Sequence, residues 1–252
     1  MSDFDEIAIL LPDPYRILWR EKVTSTNDEI RILAGQGMSE GLVLIGEEQT
    51  AGRGRRGAAW FSPKGENLAF SVLLRPRAPK HLWSRFSLAT GLAVAEGLER
   101  FLPMAAIKWP NDVLIDDRKI AGILVEAGAD FVIIGIGINV NPEKFPDELL
   151  ATSLKKECDR EISRAEVLLE VLKRLAKYSG RIESDFEELL DGVRQRCALT
   201  GKQVKFLQGG NHRSGRVKGI GSSGELLVEL NGSIEGIIQA DEVRVCSADP
   251  VL

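Results

Sequence analysis

Residues 107–126 read Ile-Lys-Trp-Pro-Asn-Asp-Val-Leu-Ile-Asp-Asp-Arg-Lys-Ile-Ala-Gly-Ile-Leu-Val-Glu, and this stretch decides the fold. The run from Ile107 to Trp109 is strand-like and ends at Pro110, because the residue before a proline avoids the helical region. Two further apolar runs, 113–115 and 120–125, flank the sequence Asp-Asp-Arg at 116–118, which predicts a hairpin turn. The stretch therefore predicts neighbouring strands of a sheet, with polar residues where one strand ends and the next returns.

The flanking segments add strands and helices to this sheet. Apolar runs at 42–45, 67–74 and 131–140 predict buried strands, and the last of these contains Gly135 and Gly137. Glycine inside a strand often marks close approach by a ligand or by another backbone. Thr26 followed by Glu29 predicts the capped start of a helix, and apolar spacing predicts further helices over 82–101, 163–175 and 182–196.

The pattern changes after residue 198. Five short strands broken by glycine are predicted within about fifty residues, including an Asn231-Gly232 turn, and they suggest a small barrel. The sequence thus predicts a larger domain of strands and helices over residues 1–198, and a small C-terminal β domain over 199–252.

A second informative stretch is Gly52-Arg53-Gly54-Arg55-Arg56-Gly57, with Trp60 just after it. Glycines let the backbone approach a ligand, and arginines present planar charged groups that suit phosphate and carboxylate oxygens. A solvated surface loop is the alternative interpretation of this segment alone. Four segments, 25–27, 49–60, 108–119 and 135–141, are predicted to converge on one site.

Composition excludes several classes of function. The net charge is −4 and the pI is about 5.5, which argues against a dedicated nucleic-acid binder. No apolar run is long enough to span a membrane, and the acidic N-terminus is unlike a secretory signal. Three widely spaced cysteines fit a reducing cytoplasm, and neither a metal-ligand cluster nor a histidine-based triad is evident.

Taken together, the motifs closely resemble those of the biotin–protein ligases. The family's glycine-arginine loop is matched at 52–57, its Lys-Trp-Pro-Asn-Asp motif at 108–112, its Arg-Lys-Ile-Ala-Gly-Ile-Leu-Val-Glu run at 118–126, and its Gly-x-Gly-Ile-Asn-Val-Asn segment at 135–141. The resemblance extends from about residue 18 into the C-terminal strands.

This resemblance implies an α+β fold, in which a catalytic domain built on a mixed β-sheet with helices, akin to class II aminoacyl-tRNA synthetases, is followed by an SH3-like C-terminal barrel. It implies that ATP activates biotin as biotinyl-5'-AMP, which then reacts with a lysine of a biotin carboxyl carrier protein of a carboxylase such as acetyl-CoA carboxylase. Mg²⁺ is expected to arrive with ATP, whose phosphate charge must be neutralised. The protein would act in the cytoplasm without nucleic-acid or membrane partners, and a homodimer is an alternative to a monomer.

The resemblance also implies roles for individual residues. The catalytic residues would be Lys119, Arg53 and Arg55. The biotin-binding residues would be Ser25, Thr26, Asn27, Gln49, Arg53, Gly54, Arg55, Lys119, Gly122, Gly135 and Gly137. The ATP-binding residues would be Arg53, Arg55, Arg56, Trp60, Lys108, Asn111, Asp112, Lys119 and Asn139. Trp109 is expected to border the thioether end of biotin.

Two positions depart from the family pattern. Ala58 stands where the family usually has arginine, so one charged contact is missing and the adenylate is expected to leak faster. Asp241 stands where glycine is common, and the change is expected to affect only the C-terminal barrel. Residues 52–60 are predicted to be mobile without ligand and protected from hydrogen exchange with it.

Three alternatives differ in substrate or class. A lipoate or octanoate ligase would use the same fold with a different pocket, and a non-catalytic sensor would bind biotin or a nucleotide without needing Lys119 and Asn111 together. A DNA-binding repressor would need an N-terminal helix-turn-helix. The active-site motif begins at Ser25, so the ligase-only type is expected.

Overall fold

A seven-stranded mixed sheet forms the centre of the protein. The computed structural model describes residues 3–246. The strands of this sheet are β1 (Arg16–Val23), β2 (Leu42–Gln49), β3 (Leu68–Leu74), β4 (Ala106–Lys108), β5 (Asp112–Ile115), β6 (Arg118–Ala127) and β7 (Val132–Ile138). Their order is β1-β2-β3-β7-β6-β5-β4, in which β1 and β2 pair in parallel and the other neighbours pair antiparallel. The predicted mixed sheet is confirmed.

The hairpin predicted from residues 107–126 is present as β5 and β6. Its turn residues Asp116 and Asp117 have φ of 47° and 61°, the left-handed conformation that two-residue hairpin turns require. The hairpin pairs Asp112 with Gly122, and β6 in turn pairs Gly122 with Gly137 of β7. The polar end of the hairpin is thereby placed beside the glycines of β7.

Five α-helices cover the two faces of the sheet. They are α1 (Thr26–Gly35), α2 (Arg85–Leu98), α3 (Leu154–Cys158), α4 (Arg164–Ser179) and α5 (Phe186–Gln195). Side chains of β3 alternate between the faces, since Phe70 and Val72 pack in the large core with α2 and α4, whereas Leu73 packs with Ile30 of α1. Ser71 lies between Phe70 and Val72 in the chain and so faces the α1 side.

Two predicted helix starts have different outcomes. The helix predicted to begin at residue 163 is confirmed as α4, and Ser163 caps it, because its side chain accepts a hydrogen bond from the N–H of Glu166 at 3.3 Å. The capping prediction at Thr26 is wrong, since Ser25 occupies the N-cap position and Thr26 is the first helical residue. The Thr26 side chain is engaged instead with Gln49 and Ser71.

The C-terminal strands form a second, antiparallel sheet. They are β8 (Gln203–Gln208), β9 (Asn211–Ile220), β10 (Leu226–Leu230), β11 (Ser233–Ile237) and β12 (Asp241–Val245). The order β11-β10-β9-β8-β12 leaves β11 and β12 as the two ends of the described sheet. Five strands are confirmed, whereas closure into a barrel stays a prediction.

The two sheets share one hydrophobic core. Phe206 and Leu226 of the C-terminal strands belong to the same buried cluster as Leu88 of α2 and Phe186 of α5. Trp109 Nε1 donates a hydrogen bond to Gly224 O at 3.0 Å, which ties the end of β4 to the C-terminal sheet. The predicted domain boundary at residue 198 stays a prediction. The outer ends of the two predicted domains, residues 1–2 and 247–252, lie outside the described residues.

The helices found between residues 3 and 246 include none that is both long and apolar enough to cross a membrane.

Candidate active site

A cavity of about 510 Å³ opens on the α1 side of the sheet. Its walls are built by the start of α1, the loop after β2, and the facing strands β6 and β7. The residues of the sequence-predicted site that line it are Ser25, Thr26, Asn27, Gln49, Arg53, Gly54, Arg55, Arg56, Trp60, Asn111, Asp112, Lys119, Gly122, Gly135 and Gly137. All four predicted segments therefore meet at one place.

One side of the cavity, which we call the sheet wall, consists of Thr26, Asn27, Gln49 and Gly135. Thr26 and Asn27 are 4% and 3% exposed, and they lie at the first turn of α1. The backbone N–H of Thr26 donates to Gln49 Oε1 at 2.9 Å. Behind them, Ser71 Oγ lies 2.7 Å from Thr26 Oγ1 and 2.6 Å from Asn27 Oδ1. The sheet wall is thus a closed set of short polar contacts.

A carboxylate from β6 fixes the amide of Asn27. Asn27 Nδ2 donates to Glu126 Oε2 at 2.7 Å and to Leu124 O at 3.4 Å. Gly135 makes room for this amide, because a Cβ at that position would lie 2.3 Å from Asn27 Oδ1. Gly135 is therefore explained by the close approach of a side chain, whereas its position in an apolar strand predicted approach by a ligand or by another backbone.

Trp60 covers two further glycines, Gly137 of β7 and Gly122 of β6. A Cβ at Gly137 would lie 2.3 Å from the Trp60 ring, and one at Gly122 would lie 3.0 Å from it. The ring also lies near Lys119, whose Nζ is 5.5 Å from the ring centroid. Trp60 therefore forms an apolar surface between β6, β7 and the charged end of the cavity.

The opposite side of the cavity, which we call the loop wall, consists of residues 52–60. The loop closes on itself through hydrogen bonds from Gly54 N to Ala58 O at 2.7 Å and from Trp60 N to Gly52 O at 2.9 Å. Arg56, at its tip, has φ of 54°, and it is followed by a glycine with φ of 75°. The tip is a tight left-handed turn that presents the arginine side chains.

Arg53 connects the loop wall to the sheet wall. Its guanidinium forms ion pairs with Asp28 of α1 and, at 3.1 Å, with Glu126 Oε1 of β6. The hydrogen bond that Arg53 donates to Asp28, and after it the charge of Glu126, raise the pKa of Arg53, which is charged in any case. Arg53 thus shares Glu126 with Asn27 and holds the base of the loop.

Arg55 and Arg56 are paired with the C-terminal sheet. Asp241, which is buried at the start of β12, forms ion pairs with Arg55 at 3.4 Å and with Arg56. Arg55 also donates to Ala240 O at 3.3 Å. The expectation that Asp241 affects only the C-terminal β domain is wrong, because its carboxylate lines the cavity and pairs with two loop arginines.

Lys119 lies at the charged end of the cavity. Its Nζ is 2.6 Å from Asp112 Oδ1, across the β5–β6 hairpin. Asn111, beside Asp112, is anchored by donation from its Nδ2 to Ile123 O at 2.9 Å. The motif at 108–112 therefore contributes a carboxylate that pairs with the lysine, and an amide that is fixed to the neighbouring strand.

Three predicted residues lie outside the cavity lining. Asn139 is buried and its Nδ2 donates to Thr152 O at 3.0 Å and to Lys119 O at 3.3 Å, so it supports the lysine's strand. Lys108 is partly buried at the end of β4, and burial, reinforced by the charge of Lys119, lowers its pKa. Trp109 is buried against the C-terminal sheet, away from the position expected for it.

The sequence predicted no role in the site for four residues: Asp28, Ser71, Glu126 and Asp241. Ser71 carried a weak signal, because it is the single polar residue in the buried strand β3. Glu126 is the last residue of the motif at 118–126, and the motif alone predicted no role for it. Asp241 and Arg55 pair although they are 186 positions apart in the chain, and no local sequence pattern predicts such a contact.

Comparison with known proteins agrees with this geometry. The model of the biotin/lipoate A/B protein ligase family matches residues 19–141. The bifunctional ligase/repressor BirA of Bacillus subtilis is 35% identical over 239 residues, which cover 89% of this chain and 73% of that protein. The biotin–[acetyl-CoA-carboxylase] ligase of Mycobacterium tuberculosis is 32% identical over 241 residues, which cover 90% of both chains.

A solved structure shows the same fold over nearly the whole chain. The biotin protein ligase of Aquifex aeolicus in complex with biotin and ATP superposes with a TM-score of 0.83 at 33% identity, covering 91% of this chain and 99% of that one. The chain therefore belongs to the biotin–protein ligases, within the biotin/lipoate A/B protein ligase family. The resemblance seen in the sequence motifs is confirmed.

Proposed function

We propose that this protein activates biotin with ATP to form biotinyl-5'-AMP and transfers the biotinyl group to a lysine of a biotin carboxyl carrier protein. The observation that carries the proposal is one cavity that joins a neutral polar wall to a cluster of arginines and a lysine. The relative from M. tuberculosis is named a biotin–[acetyl-CoA-carboxylase] ligase, and the A. aeolicus ligase was solved with biotin and ATP. A carboxylase carrier is therefore the partner we propose.

The lining of the cavity favours one orientation of biotin. Its cyclic urea suits the sheet wall, where hydroxyl and amide groups are already arranged with little exposure. Its apolar tail would lie along the exposed face of the Trp60 ring, which itself covers Gly137 and Gly122. Its carboxylate would then reach Lys119, which lies past that ring.

Lys119 would bring two negative groups together. A carboxylate and a phosphate held at ~4 Å repel each other by roughly 4 kcal/mol at an effective dielectric of ~20. A lysine between them offsets much of this repulsion and stabilises the charge of the transition state. Asp112 keeps the ammonium in place at 2.6 Å before substrates bind, and the substrate oxygens would then share it.

The loop wall would receive the phosphates of ATP. Arg55 and Arg56 are paired with Asp241, and phosphate oxygens can replace that carboxylate as partners of both guanidiniums. Arg53 would act differently, because its guanidinium is already paired with Asp28 and Glu126. Its part would be to anchor the loop, which excludes water from the reactive adenylate.

Mg²⁺ would be held mainly by the phosphate oxygens of ATP, which are the hard ligands that this ion prefers. The carboxylates of Asp112 and Glu242 also line the cavity and are of the right chemical type. The ion would neutralise the charge of the departing pyrophosphate.

The C-terminal sheet is, we infer, the SH3-like domain of this family. Its five short antiparallel strands and the pairing of β8 with β12 support this inference. A homodimer, the absence of nucleic-acid and membrane partners, and a cytoplasmic location stay predictions from the sequence.

The test is ATP–pyrophosphate exchange by the purified protein with biotin, lipoate or octanoate supplied separately. We expect exchange with biotin alone, followed by labelling of a carboxyl carrier domain when that domain is added. Exchange driven by lipoate or octanoate would instead identify a lipoate or octanoate ligase. Biotin binding without exchange would identify a sensor.

A further inference from the structure

We propose that Ser71, which lies behind the cavity, sets the direction of the hydrogen bonds in the sheet wall and makes Thr26 an acceptor for an N–H of the substrate. The inference rests on the proposed function, since the cyclic urea of biotin supplies that N–H. Ser71 is fully buried and makes its contacts to Thr26 and Asn27 alone through Oγ. It is a positioning residue.

The direction is set first at Glu126. This carboxylate pairs with Arg53 at 3.1 Å and Arg31 at 3.4 Å, so it is surrounded by donors and acts as an acceptor. Its Oε2 lies 2.7 Å from Asn27 Nδ2, and Leu124 O, another acceptor, also faces that nitrogen. The amide of Asn27 must therefore point its NH₂ group to β6 and its Oδ1 to Ser71.

The single hydrogen of Ser71 is then assigned. Asn27 Oδ1 can only accept, and it lies 2.6 Å from Ser71 Oγ, so Ser71 donates to it. The remaining contact of Ser71, at 2.7 Å to Thr26 Oγ1, must take its hydrogen from Thr26. Each hydroxyl has one hydrogen, and both hydrogens are used within the wall.

The competing acceptor for Thr26 is weaker. Gln49 Oε1 lies 3.3 Å from Thr26 Oγ1, longer than the contact to Ser71, and it already accepts the Thr26 backbone N–H at 2.9 Å. The methyl group of Thr26 faces Gly46 of β2, where an added Cβ would lie 3.1 Å from it. Packing thus holds the rotamer in which Oγ1 faces Ser71, and Thr26 lines the cavity.

The result is a selective surface. Thr26 Oγ1 presents lone pairs to the cavity, so the group that faces it must be a donor. The urea of biotin carries two N–H groups, whereas the dithiolane of lipoate and the chain of octanoate carry none. A site that is built to pair with a substrate N–H rejects analogues without it, because its own buried group is left unpaired.

Calorimetric titration of Ser71→Ala with biotin tests the proposal. Removing Ser71 Oγ takes the donor away from Asn27 Oδ1 and leaves the hydrogen of Thr26 shared between the weaker acceptor Gln49 Oε1 and the cavity. Thr26 then no longer presents a fixed acceptor, and we expect the Kd for biotin to rise about tenfold. The kcat at saturating biotin and the KM for ATP should stay within about twofold, because the charged end of the cavity is unchanged. Thr90→Val is the matched control: it removes another fully buried hydroxyl, in α2, and should leave the Kd for biotin unchanged.

The decisive measurement repeats the titrations with biotin methylated at one or the other urea nitrogen. The wild-type protein should lose affinity for one of these analogues far more than Ser71→Ala does, because the variant no longer presents a fixed acceptor. An equal loss in both proteins would show that the methyl group merely clashes, and it would overturn the proposal. If Ser71→Ala gives no cooperative thermal transition, Thr26→Val replaces it in the same titrations. If Thr26→Val still loses as much affinity for the methylated analogue as the wild-type protein does, the proposal is overturned.

Failure of the function and failure of the inference are distinguishable. A wild-type protein that neither binds biotin nor forms biotinyl-5'-AMP overturns the proposed function, and the inference falls with it. A wild-type protein that does both, but shows no difference from Ser71→Ala toward the methylated analogues, overturns the inference alone.

Discussion

The sheet wall and the loop wall face the same cavity but are held by different forces. The sheet wall is buried and closed by short contacts between hydroxyls and amides, with Glu126 behind it. The loop wall is held by ion pairs, and the side chain of Arg56 is 61% exposed. The first is arranged before any ligand arrives, whereas the second depends on charges that an anionic ligand can replace.

This difference assigns separate tasks to the two walls. A wall of short neutral contacts can discriminate between head groups, because a wrong group leaves a buried partner unpaired. A wall of exchangeable ion pairs can bind phosphate and then release the product. Glu126 is common to both, since one oxygen accepts from Asn27 and the other pairs with Arg53. The loop is therefore anchored to the group that orients the sheet wall.

The largest effect is expected at Lys119, where the walls meet. Lys119→Ala removes the cation that we propose lies between the biotin carboxylate and the phosphate, and adenylate formation should fall by about 10²- to 10³-fold. Single-turnover formation of biotinyl-5'-AMP measures this rate. Lys218→Ala, which removes a lysine of β9 paired with Glu229, is the control and should retain full activity. A normal rate in Lys119→Ala would show that the lysine does not stabilise the transition state.

A large effect on binding is expected at Gly135 of the sheet wall. Gly135→Ala would place a Cβ 2.3 Å from Asn27 Oδ1, so the amide must move and the hydrogen-bond order behind it is lost. The Kd for biotin should rise by at least about tenfold, and calorimetry with biotin measures it. Gly91→Ala in α2 is the control, because its Cβ would meet no atom closer than 3.6 Å. Unchanged biotin affinity in Gly135→Ala would contradict a preformed sheet wall.

The sequence could predict the parts of this site that depend on local signals. The strand before Pro110, the hairpin at 116–117 and the glycines of β7 each follow from a few neighbouring residues. The glycine-arginine loop was equally visible, and the resemblance of the combined motifs placed it beside the hairpin. These features converge because strand pairing brings Gly122 next to Gly137.

The parts of the site that the sequence could not predict depend on contacts between distant parts of the chain. Both Ser25 and Thr26 are residue types that cap helices. The Thr26 side chain is instead hydrogen-bonded to Gln49 and Ser71, which lie far along the chain. Asn139 follows a strand as a ligand residue would, yet its amide is engaged by Thr152 O inside the protein. These side-chain hydrogen bonds depend on tertiary packing, and the periodicity of apolar residues in the sequence does not predict them.

The smallest effect is expected at Asp241, on the loop wall. Asp241→Asn removes the charge that competes with phosphate for Arg55 and Arg56, and the KM for ATP should fall by up to about fivefold, the range of partly exposed ion pairs. Hydrogen exchange over residues 52–60 should become faster in the ligand-free variant and slow again with biotin and ATP. Glu235→Gln, which breaks the Arg213 ion pair in the same sheet, is the matched control and should change neither quantity. A rise in the KM for ATP would mean that Asp241 holds the arginines in the conformation that binds phosphate, and the loop wall would then be as preformed as the sheet wall.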